Sequence, residues 1–343
     1  MGKFMKQKRK IRRSGFYIVS CLTLVFAFFV IKGFAGLIHI GDYSDIAEKI
    51  PDLFIKEEYD SLIPKAVPVD VTEDEGYVPI APSYDDALLF EEGVESKNAI
   101  LICVDDDRVV ASRLSQERMY PASMTKVMSL IVAVESITDL TDTFTMTYEI
   151  TDPLWEQNAT VMGLKSGETV PLIDLLYGAI LPSGADATQA LAIYTAGDEE
   201  GFVEMMNEKA EEMGLLDTHF TNTSGLHNSE HYTTAYDMAL ILDYALNNEI
   251  CREILCTYKY TTTKTPEHPE GIEMYSTMFN KVSSDQVENV TILGGKTGYT
   301  YEAGHCLVSA AEKNGKTYIA VTGGGETKYT PIYDIIEMYS EYI

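Results

Sequence analysis

Tyr120-Pro121-Ala122-Ser123-Met124-Thr125-Lys126 places a hydroxyl three residues before an amine, directly after a proline. A helix beginning near Ala122 would set Ser123 and Lys126 on one face of its first turn, because positions three apart are neighbours there. A serine hydroxyl becomes a nucleophile when a base takes its proton. A lysine neutralised by burial and by nearby cations can be that base. The helix start adds unpaired backbone N–H groups and the positive end of the dipole, which suit a developing oxyanion. Taken alone, S-x-x-K also describes a helix N-terminus with an exposed lysine. Two later segments bear on the choice.

Leu181-Pro182-Ser183-Gly184-Ala185-Asp186-Ala187 ends one predicted helix and opens the next. Gly294-Gly295-Lys296-Thr297-Gly298-Tyr299-Thr300 precedes a predicted apolar strand. Each alone reads as a connecting turn. In order, the three give S-x-x-K, then S-G-x, then K-T-G, the arrangement of the penicillin-binding and serine β-lactamase group. The flanks narrow the match. Tyr120 to Met128, Leu175-Leu176-Tyr177-Gly178, Thr223-Ser224-Gly225-Leu226, His231 to Asp237 and Lys296 to Ala310 resemble low-molecular-mass penicillin-binding proteins, the serine-type D-alanyl-D-alanine carboxypeptidase family. The resemblance covers roughly residues 83–343. The E-x-x-L-N segment that a class A β-lactamase would need is absent from the sequence between these motifs.

The resemblance implies roles. Ser123 would attack the carbonyl between two terminal D-alanines of a peptidoglycan stem peptide, and Lys126 would take its proton. Ser183 would relay that proton to the leaving D-alanine. Lys296, Thr297, Gly298 and Tyr299 would form the substrate-binding segment, with Lys296 and Thr297 on the substrate's C-terminal carboxylate. The backbone N–H groups of Ser123 and Tyr299 would make the oxyanion hole. β-Lactams would inhibit by acylating the same serine. The chain departs from the family at Ala185, where the usual S-x-N motif has asparagine. That loss leaves a second reading open, a catalytically weak relative that binds wall peptide or a wall-synthesis partner.

Charge divides the chain. Residues 1–36 hold Lys3, Lys6, Lys8, Arg9, Lys10, Arg12, Arg13 and Lys32 and no acid, whereas the whole chain has a net charge of −27. So acidic a body disfavours nucleic acid as a partner. Gly15 to Ile31 is charge-free and largely apolar, at the lower length limit for spanning a bilayer. With the basic cluster ahead of it, this predicts an N-terminal anchor with the body outside the cell. A cleaved signal peptide ending near Gly33-Phe34-Ala35 is the competing reading. The expected organisation is a basic tail and anchor or signal over 1–40, an acidic, proline-containing stalk over 41–82, and a catalytic domain over 83–343. Many relatives carry an extra C-terminal β-domain ending in an amphipathic anchor; the N-terminal segment would replace that tether.

Within the domain, Asn98–Val104 and Arg108–Arg113 read as a hairpin across Asp105-Asp106-Asp107. Helices are predicted from about Ser123, and over 171–181, 185–196, 200–213, 234–247 and 331–343. A short strand is predicted through Phe144, Met146 and Tyr148, and others at Tyr258-Lys259-Tyr260 and Met274–Phe279. Ala303–Glu312 and Thr317–Gly323 flank Asn314-Gly315, a strong hairpin signal. Strands at both ends with helices between fit an α/β (α+β) fold, an antiparallel sheet flanked by helices with a helical lobe. Cys103 and Cys306 read as buried free thiols, and Cys251 and Cys256 could pair. His231 reads as a structural hydrogen bonder at a helix entry. The sequence shows no metal-ligand spacing and no glycine-rich phosphate loop, so no cofactor is implied.

Overall fold

The computed structural model describes residues 79–343 apart from Glu91 and Asn158. The readings for residues 1–40 and for all but the end of 41–82 lie outside it. The strands are β1 (Leu88–Leu89), β2 (Asn98–Cys103), β3 (Arg108–Arg113), β4 (Thr143–Thr145), β5 (Thr169–Pro171), β6 (Lys259–Thr261), β7 (Glu273–Tyr275), β8 (Thr291–Thr300), β9 (Gly304–Lys313) and β10 (Lys316–Gly325). The helices are α1 (Lys126–Ser136), α2 (Tyr148–Glu156), α3 (Leu172–Ile180), α4 (Ala185–Ala196), α5 (Glu199–Glu212), α6 (Ala235–Asn247), α7 (Glu249–Cys256) and α8 (Thr330–Glu341).

Every residue of β2 is buried. Because side chains alternate along a strand, Ile100 and Ile102 enter one apolar cluster while Ala99, Leu101 and Cys103 enter another. β2 is therefore covered on both faces. The sheet runs β1-β3-β2-β10-β9-β8, antiparallel throughout except where the two-residue β1 adds parallel to β3. Ile332, Ile335, Met338 and Tyr339 of α8 close one face. The helical lobe closes the other, through Ile319 and Val321 of β10 and Val308 of β9. α1 runs through the middle of that lobe, with every residue from Lys126 to Val134 buried. An all-round buried helix is a central one, so its first residue starts inside the molecule. The predicted Asn314-Gly315 turn has positive φ at both residues, 55° and 74°, as a type I′ hairpin requires.

Four local readings change. The strand through Tyr148 stops at Thr145, and α2 begins at Tyr148. Ile150 and Leu154, four apart, are the buried residues of α2, a helical spacing that Pro153 disguises. α7 was not foreseen; the Asn248 side chain caps it by accepting from Ile250 and Cys251 N–H. β7 ends at Tyr275, and a turn over 277–281 replaces the rest of the predicted strand. Cys251 and Cys256 are free thiols, not a pair. Both lie on α7, where five residues of separation set them on different sides of the helix. Cys103 and Cys306 are buried and free, as read from their apolar strands.

Candidate active site

Pro121 leads into a single 3₁₀ turn, Ala122–Thr125, that runs directly into α1. Ser123 and Lys126 leave this junction on the same side, with Lys126 Nζ 3.0 Å from Ser123 Oγ. The turn is held in an unusual shape, with Ala122 at φ 46°. Gly225, at φ +81°, makes room for it: a Cβ there would lie 1.8 Å from the Ala122 carbonyl oxygen. No L-residue with a side chain fits that approach. Asn222 builds the turn carrying Gly225, its Oδ1 accepting from Ser224 N–H at 3.2 Å and Gly225 N–H at 2.7 Å. That turn aims the Ser224 carbonyl at Lys126, which donates to it at 2.6 Å. The lysine thus has a backbone acceptor besides the serine.

Lys126 is 2% exposed. Burial pushes its amine down to about 7, against a smaller upward pull from Asp186. Asp186 is itself buried and accepts from the backbone N–H groups of Met162, Gly163 and Ala187. Burial raises its pKa while those three bonds lower it.

His231 braces the same turn. Its Nδ1 accepts from Thr221 N–H at 3.0 Å, so Nε2 carries the proton and donates to Thr125 Oγ1 at 2.7 Å. Burial holds the ring neutral, its pKa pushed down to about 3. It is a structural hydrogen bonder, as its sequence position suggested, but on the turn that carries Ser123.

Ser183 sits between α3 and α4 at φ 70°, a left-handed conformation rarely adopted by a residue with a side chain. Lys296 Nζ donates to Ser183 Oγ at 2.9 Å and to the Thr297 carbonyl at 2.8 Å. Burial and the charge of Lys126 both lower the Lys296 pKa. K-T-G lies within β8 and does not precede a strand as predicted. Its glycines hide the strand from propensity, and packing demands them. A Cβ on Gly298 would meet the Pro121 carbonyl at 2.9 Å and Ser123 N at 3.0 Å. β8, the last strand of the sheet, therefore lies directly against the turn that carries Ser123. Thr297 Oγ1 is 2.7 Å from Thr277 Oγ1. Tyr299 is 56% exposed and stacks on His305.

The structure thus pairs Lys126 with Ser123 and Lys296 with Ser183, with Thr297, Gly298 and Tyr299 following Lys296 along β8. Ala185 is buried, its N–H donating to the Thr160 carbonyl at 2.8 Å. Sequence reasoning missed the Ser224 carbonyl, Asn222 and Asp186. Asn222 and Gly225, three apart around Thr223-Ser224, carried the available turn signal.

Residues 87–327 match the family model Peptidase S11, D-alanyl-D-alanine carboxypeptidase. The chain is 33% identical over 236 residues to D-alanyl-D-alanine carboxypeptidase DacF of Bacillus subtilis (strain 168), covering 68% of this chain and 58% of that protein. It is 32% identical over 242 residues to DacA of Escherichia coli (strain K12), covering 68% and 57%. The chain therefore spans less than two thirds of these relatives' length. The crystal structure of the Streptomyces K15 DD-transpeptidase superposes with a TM-score of 0.67 at 26% identity, covering 73% of this chain and 97% of that one. With a family model matched across more than half its length and the motif residues gathered in one place, the chain belongs to the peptidase S11 family of D-alanyl-D-alanine carboxypeptidases.

Proposed function

We propose that this protein is a serine-type D-Ala-D-Ala carboxypeptidase that removes the terminal D-alanine from peptidoglycan stem pentapeptides through an acyl-enzyme, and that penicillin acylates the same serine. The observation that carries this reading is the 3.0 Å approach of the Lys126 amine, with a pKa near 7, to the Ser123 hydroxyl. A neutral amine has one lone pair and two N–H groups. The lone pair takes the Ser123 proton while an N–H stays on the Ser224 carbonyl. Ser123 Oγ adds to the peptide carbonyl, and the negative charge moves to its oxygen. The Ser123 and Tyr299 N–H groups are the donors for that oxygen, a role often worth ~3–4 kcal/mol. Collapse breaks the C–N bond, and the proton passes from Lys126 through Ser183 to the departing D-alanine amine. Water then splits the ester and frees the shortened peptide.

Lys296 binds the substrate's C-terminal carboxylate with Thr297. An arriving carboxylate favours a proton on Lys296, and a charged Lys296 then disfavours one on Lys126. The loss of the amide at Ala185 supports a second reading, a weak relative that binds wall peptide without efficient turnover. The Ser224 carbonyl favours the enzyme, because it gives Lys126 a hydrogen-bond acceptor without that amide.

The deciding experiment measures D-alanine release from a pentapeptide beside mass spectrometry of the penicillin-treated protein. The enzyme reading expects both turnover and a covalent adduct on Ser123, each lost in Ser123→Ala. An adduct elsewhere would overturn the assignment, and labelling without turnover would favour the binding reading. Residues 83–343 are read as the catalytic domain, carried on the stalk of 41–82. The basic cluster and Gly15–Ile31 support an uncleaved membrane anchor with that domain outside the cell. A mature N-terminus near Gly36, found by intact mass, would replace the anchor with a cleaved signal.

A further inference from the structure

Two contacts fix the direction of a bound peptide along β8. Its C-terminal carboxylate meets Thr297, and the carbonyl under attack meets the Tyr299 N–H, so the peptide runs antiparallel to the strand. The residues that precede the terminal D-Ala-D-Ala therefore extend past Tyr299 toward the end of β8. There Tyr299 pairs with His305 and Thr300 with Gly304, which leaves Tyr301, Glu302 and Ala303 as the hairpin turn. The Ala303 N–H donates to Thr300 Oγ1 at 3.1 Å and holds that turn in place. Glu302 is exposed on it.

Among the described residues the ion-pair partner of Glu302 is His227, whose Nδ1 stands 3.9 Å from Glu302 Oε2, beyond hydrogen-bond reach. The carboxylate oxygens therefore keep acceptor positions open. The His227 ring packs edge-on against Tyr120, with centroids 4.7 Å apart, and Tyr120 directly precedes Pro121 at the start of the turn that carries Ser123. His227 also lies two residues after Gly225, on the segment that aims the Ser224 carbonyl at Lys126. It thus joins the β8–β9 turn to both segments that flank Ser123. Tyr301, 89% exposed, adds ring surface at the same turn. A carboxylate beside tyrosine rings suits an ammonium on an aliphatic stem, the charge taking the head and the rings the stem.

We propose that Glu302 is a specificity-determining residue that receives the side-chain ammonium of a diamino acid directly preceding D-Ala-D-Ala in the stem peptide. This rests on the peptidase reading. Three residues of chain span at most about 11 Å, so Glu302 lies within that distance of Tyr299 and hence of the carbonyl under attack. On the peptide, one residue step covers about 3.8 Å of it. A four-carbon amine stem and the Glu302 side chain bridge the remainder. A neutral residue at that peptide position forgoes the contact, and an acidic one is repelled.

The test measures D-alanine release from two pentapeptides, one with lysine before D-Ala-D-Ala and one with the same lysine acetylated on its side-chain amine. Wild type is expected to prefer the free amine about three- to fivefold in kcat/KM, the size of a solvent-exposed charge pair, and to lose that preference at about 0.5 M salt. Glu302→Gln should lose the same factor on the lysine peptide and stay within about twofold on the acetylated one. Glu302→Lys should reverse the order of the two peptides. Indifference of wild type to acetylation would overturn the proposal. So would equal losses on both peptides in Glu302→Gln, which would mean that the carboxylate only steadies His227. If Glu302→Gln does not fold, Glu302→Ala carries the same comparison. If wild type is acylated by penicillin but releases no D-alanine, the dissociation constants of the two peptides replace their kcat/KM values. Wild type that does neither removes the peptidase reading itself, an outcome distinct from failure of the Glu302 contact alone.

Discussion

Raising the pH through 7 should switch on acylation. Burial disfavours the charged form of an amine, so Lys126 loses its proton near pH 7, below its ordinary value of 10.5. About half of the molecules then carry a free base at pH 7, and about one in ten at pH 6. An ordinary lysine would be neutral in only about three molecules in ten thousand at pH 7, so burial supplies roughly a thousandfold more base. The logarithm of the second-order rate constant for penicillin acylation should therefore climb by about one per pH unit below 6.5 and level off above about 8. His231, with its pKa near 3, stays neutral across that window and adds no step. Stopped-flow measurement with a fluorescent penicillin from pH 5 to 9.5 gives the profile, with near-UV circular dichroism to verify folding at each pH. Lys126→Arg, which cannot lose its proton, should lack both the rise and measurable acylation. A rate still climbing tenfold per unit beyond pH 9 would show an unperturbed lysine. A flat profile would show that Lys126 is not the base. Either result refutes the reasoning.

Gly225→Ala should disable the site without touching substrate: its new Cβ, 1.8 Å from the Ala122 oxygen, must displace the Ser123 turn. Unfolding should become easier by ~3 kcal/mol or more, with penicillin labelling lost as well. His231→Ala removes partners of Thr125 and Thr221 and should cost about 1–3 kcal/mol at pH 7 in urea denaturation. The folded pKa of His231 lies below its ordinary 6.5, so its stabilisation is present above pH 6.5 and lost as pH falls toward 3; the variant's deficit should shrink at pH 4.5. Ala185→Asn should raise kcat/KM on a D-Ala-D-Ala peptide by about two- to twelvefold, one hydrogen bond restored in the transition state. A decrease would mean that the site is arranged around alanine, with the Ser224 carbonyl already serving Lys126.

Where a feature was local in sequence, it was legible. Ser123 and Lys126 lie within one turn, so their spacing alone set them side by side. The apolar run Asn98–Val104 and the Asn314-Gly315 turn likewise defined a strand and a hairpin from a few neighbouring letters. The convergence of Ser183 and Lys296 was legible only through resemblance, since 113 residues separate them and no periodicity reports such a contact. Backbone groups were invisible. The Ser224 carbonyl is a principal partner of Lys126, yet any residue supplies a carbonyl, and only the Asn222 and Gly225 turn hinted at its direction. K-T-G was misplaced because three glycines depress strand propensity in β8. At Gly294 and Gly295, added Cβ atoms would strike the Leu255 and Val308 carbonyls, so tertiary packing outweighs propensity there.

Two buried amines are a poor way to make a stable protein, and that cost is part of the chemistry. For Lys126 alone, the fall from 10.5 to about 7 corresponds to about 5 kcal/mol of disfavoured charge. The packed lobe around α1 must offset it, since eight further buried residues follow Lys126 without a break. Reversing that arrangement would be simple: a carboxylate within 4 Å of either amine would restore its proton and relieve the strain. Asp186 is the candidate already in place, yet three backbone N–H groups of Met162, Gly163 and Ala187 hold it, and it forms no ion pair with Lys126. The loop from Thr160 to Gly163 therefore does more than cover the helix start. With Ala187 it occupies the Asp186 oxygens and keeps that carboxylate from pairing with Lys126.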